Sequence, residues 1–290
     1  MRAAAVLAFG LVLSATGCGS SDTASTQGSA RPGTLEALWK RPGEDVALVM
    51  GTSDYAPGPT RVSFLVIDHR ARPIERPTAR VWLALALDQA PFLTGTARLE
   101  DVGKGQRLYV ANFDIPGPGK YFLLAEPVGG TRIQGVGNVV VEERTKSPAA
   151  GELAFPSKTP TLDDAPVDEL TTGNPPRTEL LRVSVADALA RKKPFVVVFA
   201  TPKFCESRTC GPVVDVVDGV RRRVPDVEFI HVEIYEENNP ALGVNRWVRE
   251  WKLPTEPWVF LVGGDGRIAA KFEGAVSLRE LEAAVRRFLT

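Results

Sequence analysis

The sequence predicts a multidomain chain, an all-β sandwich followed by an α/β layered domain. Three observations predict it. The 290 residues are 44% hydrophobic, too apolar for a disordered chain and about enough for two modest domains. From Asp45 to Glu143, short β-rich runs alternate with Pro and Gly turn signals. From Leu180 onward, helical patterns alternate with continuous apolar runs. Lys plus Arg equals Asp plus Glu, at 35 each, so the chain has no electrostatic footprint for nucleic acid.

The chain begins MRAAAVLAFGLVLSATGC. Arg2 precedes an apolar run, Ala3 to Ala15, that is too short for a membrane span and fits a signal-peptide core. Its end, SATGC, resembles a bacterial lipobox, with Ala15 where leucine is commoner. The resemblance implies residues 1–17 as a signal peptide, cleavage before Cys18, and a diacylglycerol on the Cys18 sulfur. Acyl chains would then hold the protein on the extracytoplasmic face of the cell membrane, the lipid bilayer being a partner. The Ser-, Thr- and Gly-rich start of residues 18–42 reads as a flexible tether.

Residues 43–144 form the expected β domain. RVSFLVID, ARVWLALAL, QRLYVANFDI, KYFLLAEPV and VGNVVVEE read as strands, separated by turns such as HRARP and PGPG. This spacing predicts an antiparallel sandwich of roughly seven strands. PGPGKYFLLAE resembles a strand near the end of many extracytoplasmic Ig-like domains, which implies architecture and not activity. The domain has no nucleophile with a base and no metal cluster, and His69 sits in a predicted turn. Residues 145–179, with prolines throughout, read as a linker or an extended strap.

Residues 180–290 make the second domain. Ser184 and Asp187 stand at capping-box spacing before the helix SVADALARKK. PFVVVFAT is a β-branched run suited to a central strand buried on both faces. A helix VVDVVDGVRRRV, a strand DVEFIHVEIY and a helix PALGVNRWVREWK follow. PWVFLV and RIAAKFEG flank the turn GGDG as a hairpin. The last helix, SLRELEAAVRRFLT, opens with Ser277 and Glu280 as a capping box and lines Leu278, Leu281, Val285, Phe288 and Leu289 near one face.

This order, with cysteines directly after the first buried strand, resembles the thioredoxin fold. VVVFATPKFC is similar to the passage from strand to active site in that family, and LPTEPWVFLVGGDGRIAAKFEG is similar to its later hairpin. The resemblance implies a cis-proline at Pro257, with Pro254 the other candidate. It also implies a substrate-docking loop of Glu256, Pro257 and Trp258, facing a redox pair of Cys205 and Cys210. The implied activity is thiol–disulfide exchange with exported proteins, served by a membrane redox partner, with no cofactor and no metal.

The spacing departs from the family's Cys-X-X-Cys, because four residues separate Cys205 from Cys210. Residues five apart in regular helix have Cα atoms roughly 8–9 Å apart. A disulfide needs less than about 7 Å. Both cysteines therefore cannot lie in regular helix if they are bridged. With Gly211 as cap and Pro212 as the first helical residue, Cys210 would stand just before the helix, and Cys205 in a loop folded back onto it.

Three other readings stand beside exchange. A small-loop structural bridge would stabilise by roughly 2 kcal/mol and leave a redox-inert binding or assembly lipoprotein. A peroxiredoxin-like peroxidase shares the four-residue gap, but Thr201-Pro202 precede Cys205 by one residue too many for that family's Thr-X-X-Cys. A copper site would need a third ligand, and His231, inside a predicted buried strand, is the domain's histidine.

Overall fold

The computed structural model describes residues 30–290. Cys18, the expected signal segment 1–17 and residues 18–29 of the expected tether lie outside them. Among the described residues no helix is long and apolar enough to cross a membrane.

Structure begins inside the stretch expected to be tether. Thr34 caps a short helix α1, Leu35–Trp39, its hydroxyl accepting from the Ala37 N–H. Leu35 is fully buried against Ala84 and Leu124. Leu38 and Trp39 pack on the same cluster, but a helix of five residues is too short for periodicity to announce it.

The β domain comprises β1 (Glu44–Asp45), β2 (Ala47–Met50), β3 (Gly58–Ile67), β4 (Thr78–Ala84), β5 (Leu93–Gly103), β6 (Gln106–Ile115), β7 (Gly119–Pro127) and β8 (Ile133–Val141). Alternate residues Val62, Phe64 and Val66 of β3 face the core, as do Tyr109, Ala111 and Phe113 of β6. All eight strands join one sheet, ordered β1-β8-β7-β4-β5-β6-β3-β2. The expected separation into two sheets is bridged by β5, which pairs with β4 over Leu93–Arg98 and with β6 from Arg98 onward. At the other side the sheet nearly closes, since consecutive β1 and β2 lie on its opposite edges. Gly135 permits that approach, because a Cβ there would collide with Leu48. Near closure leaves little exposed strand edge.

The second domain follows the expected order: α3 (Val185–Ala190), β9 (Phe195–Phe199), α4 (Cys210–Arg221), β10 (Glu228–Val232), α5 (Arg246–Glu250), β11 (Trp258–Val262), β12 (Ile268–Glu273) and α6 (Leu278–Phe288). A one-turn helix α2, Val167–Leu170, precedes them in the strap. The sheet runs β10-β9-β11-β12, with β9 and β10 parallel and the rest antiparallel. Every residue of β9 is buried, as its apolar run predicts. Val196 and Val198 face α4 and α6, while Phe195, Val197 and Phe199 face α3 and α5.

The predicted helix through PALGVNRWVREWK is interrupted. Pro240–Leu242 form a 3₁₀ turn, Gly243 takes φ +79°, and Asn245 restarts the chain by accepting from the Trp247 and Val248 N–H groups. A strong internal cap wins over continuation there. Within residues 145–179, the strap lies on the outer edge of β12. Gly151 N–H donates to Ile268 O (2.8 Å), and Ile268 N–H returns a bond to Glu152 O (2.9 Å).

The two domains share a built interface. Val102, Leu108 and Val110 of the β domain pack on Ala275. Arg61 reaches across to Glu280 (2.8 Å) and to Ala275 O (2.9 Å). Glu273 accepts from Ser53 N–H, Asp54 N–H and the Ser53 hydroxyl, at 2.8, 2.9 and 2.8 Å. Buried Glu100 receives the Ser277 hydroxyl (2.9 Å) and pairs with Arg279.

Candidate functional site

Strand β9 delivers the chain at Phe199 into the loop that carries the first cysteine. Arg208 N–H donates to Cys205 O (3.2 Å), and Arg208 takes φ +59°, closing a tight turn. That turn brings Cys205 back over the start of α4. The Cα atoms of Cys205 and Cys210 are 5.9 Å apart and their sulfurs form a disulfide.

Helix α4 starts earlier than the sequence predicts. Cys210 is its first residue and Thr209 its cap, so Gly211 and Pro212 lie within the first turn. The proline is tolerated because N–H groups of the first turn have no intrahelical acceptor. The first intrahelical bond is Val213 N–H to Thr209 O, at 2.9 Å.

The two sulfurs differ in environment. Cys210 is fully buried in the core under α4, whereas Cys205 is only partly buried. Cys205 Sγ accepts from the Cys210 N–H (3.2 Å) and lies 3.2 Å from the Ser207 hydroxyl. An N–H at a helix start and a hydroxyl both favour negative charge on that sulfur.

Facing the disulfide is the loop before β11. The Glu256–Pro257 bond is cis, at the position the sequence resemblance implies. Asn174–Pro175 is also cis, with no counterpart in the sequence reading. A carboxylate oxygen of Glu256 and the sulfurs of Cys205 and Cys210 all lie within 4.8 Å of one another. Burial, then the neighbouring charges of Glu206 and Glu233, push the Glu256 carboxyl up to about 7.

Trp258, expected to offer a docking surface, does not. It is 1% exposed, stacks on Phe260 and donates its indole N–H to Thr255 Oγ1 (3.1 Å). Its large apolar ring is worth more in the core than at the surface, so it supports the loop from beneath. Pro257 is also buried, its carbonyl accepting from Gly274 N–H at 2.8 Å. Glu256 is the partly exposed member of the three.

Several neighbours were not legible as site residues. Glu233, 6% exposed, accepts from the N–H and hydroxyl of Thr172 at 2.6 and 2.8 Å. Thr172 in turn accepts from Lys203 N–H (3.1 Å), tying the strap to the cysteine loop. Phe204 meets Tyr235 edge-on, with centroids 6.4 Å apart. From the β domain, Gln106 donates to Arg208 O (3.5 Å) and Lys104 pairs with Asp215 of α4 (3.5 Å). His231 is a core residue, 4% exposed, with Nε2 3.0 Å from Ala200 O.

No family model matches the chain, and no curated protein does. Among solved structures, it overlaps a thiol:disulfide interchange protein of the thioredoxin family from Chlorobium tepidum TLS. That match has 17% identity and a TM-score of 0.30, covering 50% of this chain and 97% of the other. A cycloisomaltooligosaccharide glucanotransferase from Paenibacillus overlaps at 20% identity and a TM-score of 0.23, over 38% of this chain and 16% of the enzyme. The PKD domain of human SorCS2 overlaps at 16% identity and a TM-score of 0.19, covering 49% of this chain and 100% of that domain. Overlaps at these scores are partial, so the functional reading rests on the site's own geometry.

Proposed function

We propose that the chain is a thioredoxin-like thiol–disulfide exchange protein, lipid-anchored through Cys18 on the extracytoplasmic face of the membrane and acting on exported proteins. The observation that carries the exchange reading is the disulfide at the start of α4, with Cys205 partly exposed beside Glu256 and Cys210 buried behind it. The anchor rests on the SATGC segment. We read the β domain as Ig-like in its strand order, with β3-β6-β5 and β4-β7-β8 as the two halves that β5 joins. It braces α4 through Lys104 and the cysteine loop through Gln106.

In the exchange, a substrate thiolate attacks Cys205 Sγ and forms a mixed disulfide. The Cys205–Cys210 bond breaks, and Cys210 leaves as a thiolate that takes up a proton. A second substrate thiolate then attacks the substrate sulfur of that mixed disulfide and expels the Cys205 thiolate. The substrate ends as a disulfide and the protein as a dithiol; the reverse sequence reduces a substrate disulfide.

Equilibration of the full chain with glutathione buffers tests this. A labile pair is expected, with Cys210→Ser accumulating mixed disulfides through Cys205. A potential below about −300 mV belongs to a structural bridge and would sink the proposal.

A further inference from the structure

The sequence offers two sulfurs and a distant histidine, which is a poor metal site. The fold changes the donor set. It leaves His231 bonded to Ala200 O and brings Glu256, fifty-one positions after Cys205, to within 4.8 Å of both sulfurs. Among the described residues this is the cluster of three potential metal-ligating groups whose donor atoms approach so closely.

We propose that reduction of the Cys205–Cys210 disulfide by a dithiol opens a Zn²⁺ site, ligated by the two thiolates and the Glu256 carboxylate. The dithiol takes the disulfide bond, Cys205 and Cys210 become thiols, and each gives up its proton as it binds the ion. A fourth position is left to water or an incoming ligand, as in open zinc sites.

The geometry suits that ion. Zinc holds thiolate sulfur at about 2.3 Å and carboxylate oxygen at about 2.0–2.2 Å, so tetrahedral donors stand roughly 3.5–4 Å apart. The donor atoms are already within 4.8 Å, and the Cα atoms at 5.9 Å allow the sulfurs to part without backbone movement. The Cys210 N–H at 3.2 Å from Cys205 Sγ supplies an outer hydrogen bond to a ligand sulfur. Glu206 and Glu233 add negative charge around the position. Lys203 is turned over the Phe204 ring, 5.0 Å from its centroid, and Arg208 points to solvent. Cu⁺ is satisfied by soft thiolates alone, whereas a carboxylate beside two thiolates suits the borderline Zn²⁺. In the disulfide form the sulfurs have no charge to donate, so binding is gated by redox state.

The test uses the full chain in a Cys18→Ser background, where Cys205 and Cys210 are the thiols, with Zn²⁺ titrated against a chromophoric chelator. The reduced protein should bind one ion and the oxidised protein none. Co²⁺ in place of zinc should show sulfur-to-cobalt charge transfer and a tetrahedral spectrum in the unaltered site. Outer-shell partners alone are worth about 10–100-fold in metal affinity, so Glu256→Gln should weaken binding at least about tenfold. Absence of stoichiometric binding, equal binding by the oxidised form, or a smaller loss in Glu256→Gln overturns the proposal. Zinc binding by a chain whose disulfide potential is that of a structural bridge would leave this site standing and remove only the exchange reading.

Discussion

At the scale of single residues, the site is an asymmetric pair of sulfurs. Cys210 has no exposed surface, and Cys205 has some. Reagents reach the first only after local opening of α4. We expect that, after mild reduction, a haloacetamide alkylates Cys205 well before Cys210, as read by peptide mass spectrometry. Faster labelling of Cys210 would reverse the assignment of the attacking sulfur. The cysteine pair, and the rule that the two cannot both lie in regular helix if bridged, are legible in the sequence because spacing alone limits a disulfide. The resemblance implies that the Glu256 loop faces them, but the approach to within 4.8 Å is set by how β9, α4 and β11 stack.

At the scale of elements, local signals account for most of the second domain. The capping box at Ser277 is complete: the Ser277 hydroxyl accepts from Glu280 N–H (3.1 Å), and Glu280 Oε2 accepts from Ser277 N–H (3.2 Å). Ser277→Ala should cost about 1–2 kcal/mol, because it loses the cap and also the hydrogen bond to buried Glu100. Urea unfolding checks this, and Ser277→Thr, which keeps the hydroxyl, should recover most of the loss. Where elements depart from expectation, a local competitor is responsible. Asn245 interrupts a helix by capping a new one, and the Cys205–Arg208 turn lets α4 begin at Cys210 rather than Pro212.

At the scale of the whole molecule, the ion pair Arg61–Glu280 joins the two parts. Burial alone would raise the Glu280 carboxyl, but the Arg61 guanidinium and hydrogen bonds from Arg61 and Ser277 outweigh it and hold the value below the usual 4.5. A lowered acid contributes stability that is present above its ordinary value and is lost as pH falls through the folded one. The urea midpoint should therefore drop on acidification below pH 4.5, and drop less in Arg61→Met. At neutral pH, Arg61→Met should cost about 1.5–3 kcal/mol, since it removes charged hydrogen bonds to Glu280 and Ala275. Parallel acid profiles for the two proteins would show that this pair does not couple the domains. Gly274, at φ +69°, tests the same junction: a Cβ there would lie 2.6 Å from the backbone oxygen of Gly51. Gly274→Ala should loosen the contact between domains while leaving the Cys205 loop intact, a combination readable by hydrogen exchange.

By itself, the sequence determined a β-rich first part and an α/β second part, the order of helices and strands from Val185 to Phe288, and the presence of a cysteine pair at a strand-to-helix passage. Each follows from periodicity, capping or spacing within a short stretch of chain. Tertiary structure alone decided that the β strands share one nearly closed sheet, that Trp258 is core and not surface, and that Glu233 joins Glu256 near the disulfide. The physical reason is the same in each case. These are contacts between residues distant in sequence, decided by which faces the packed layers bury and not by any local preference of the chain.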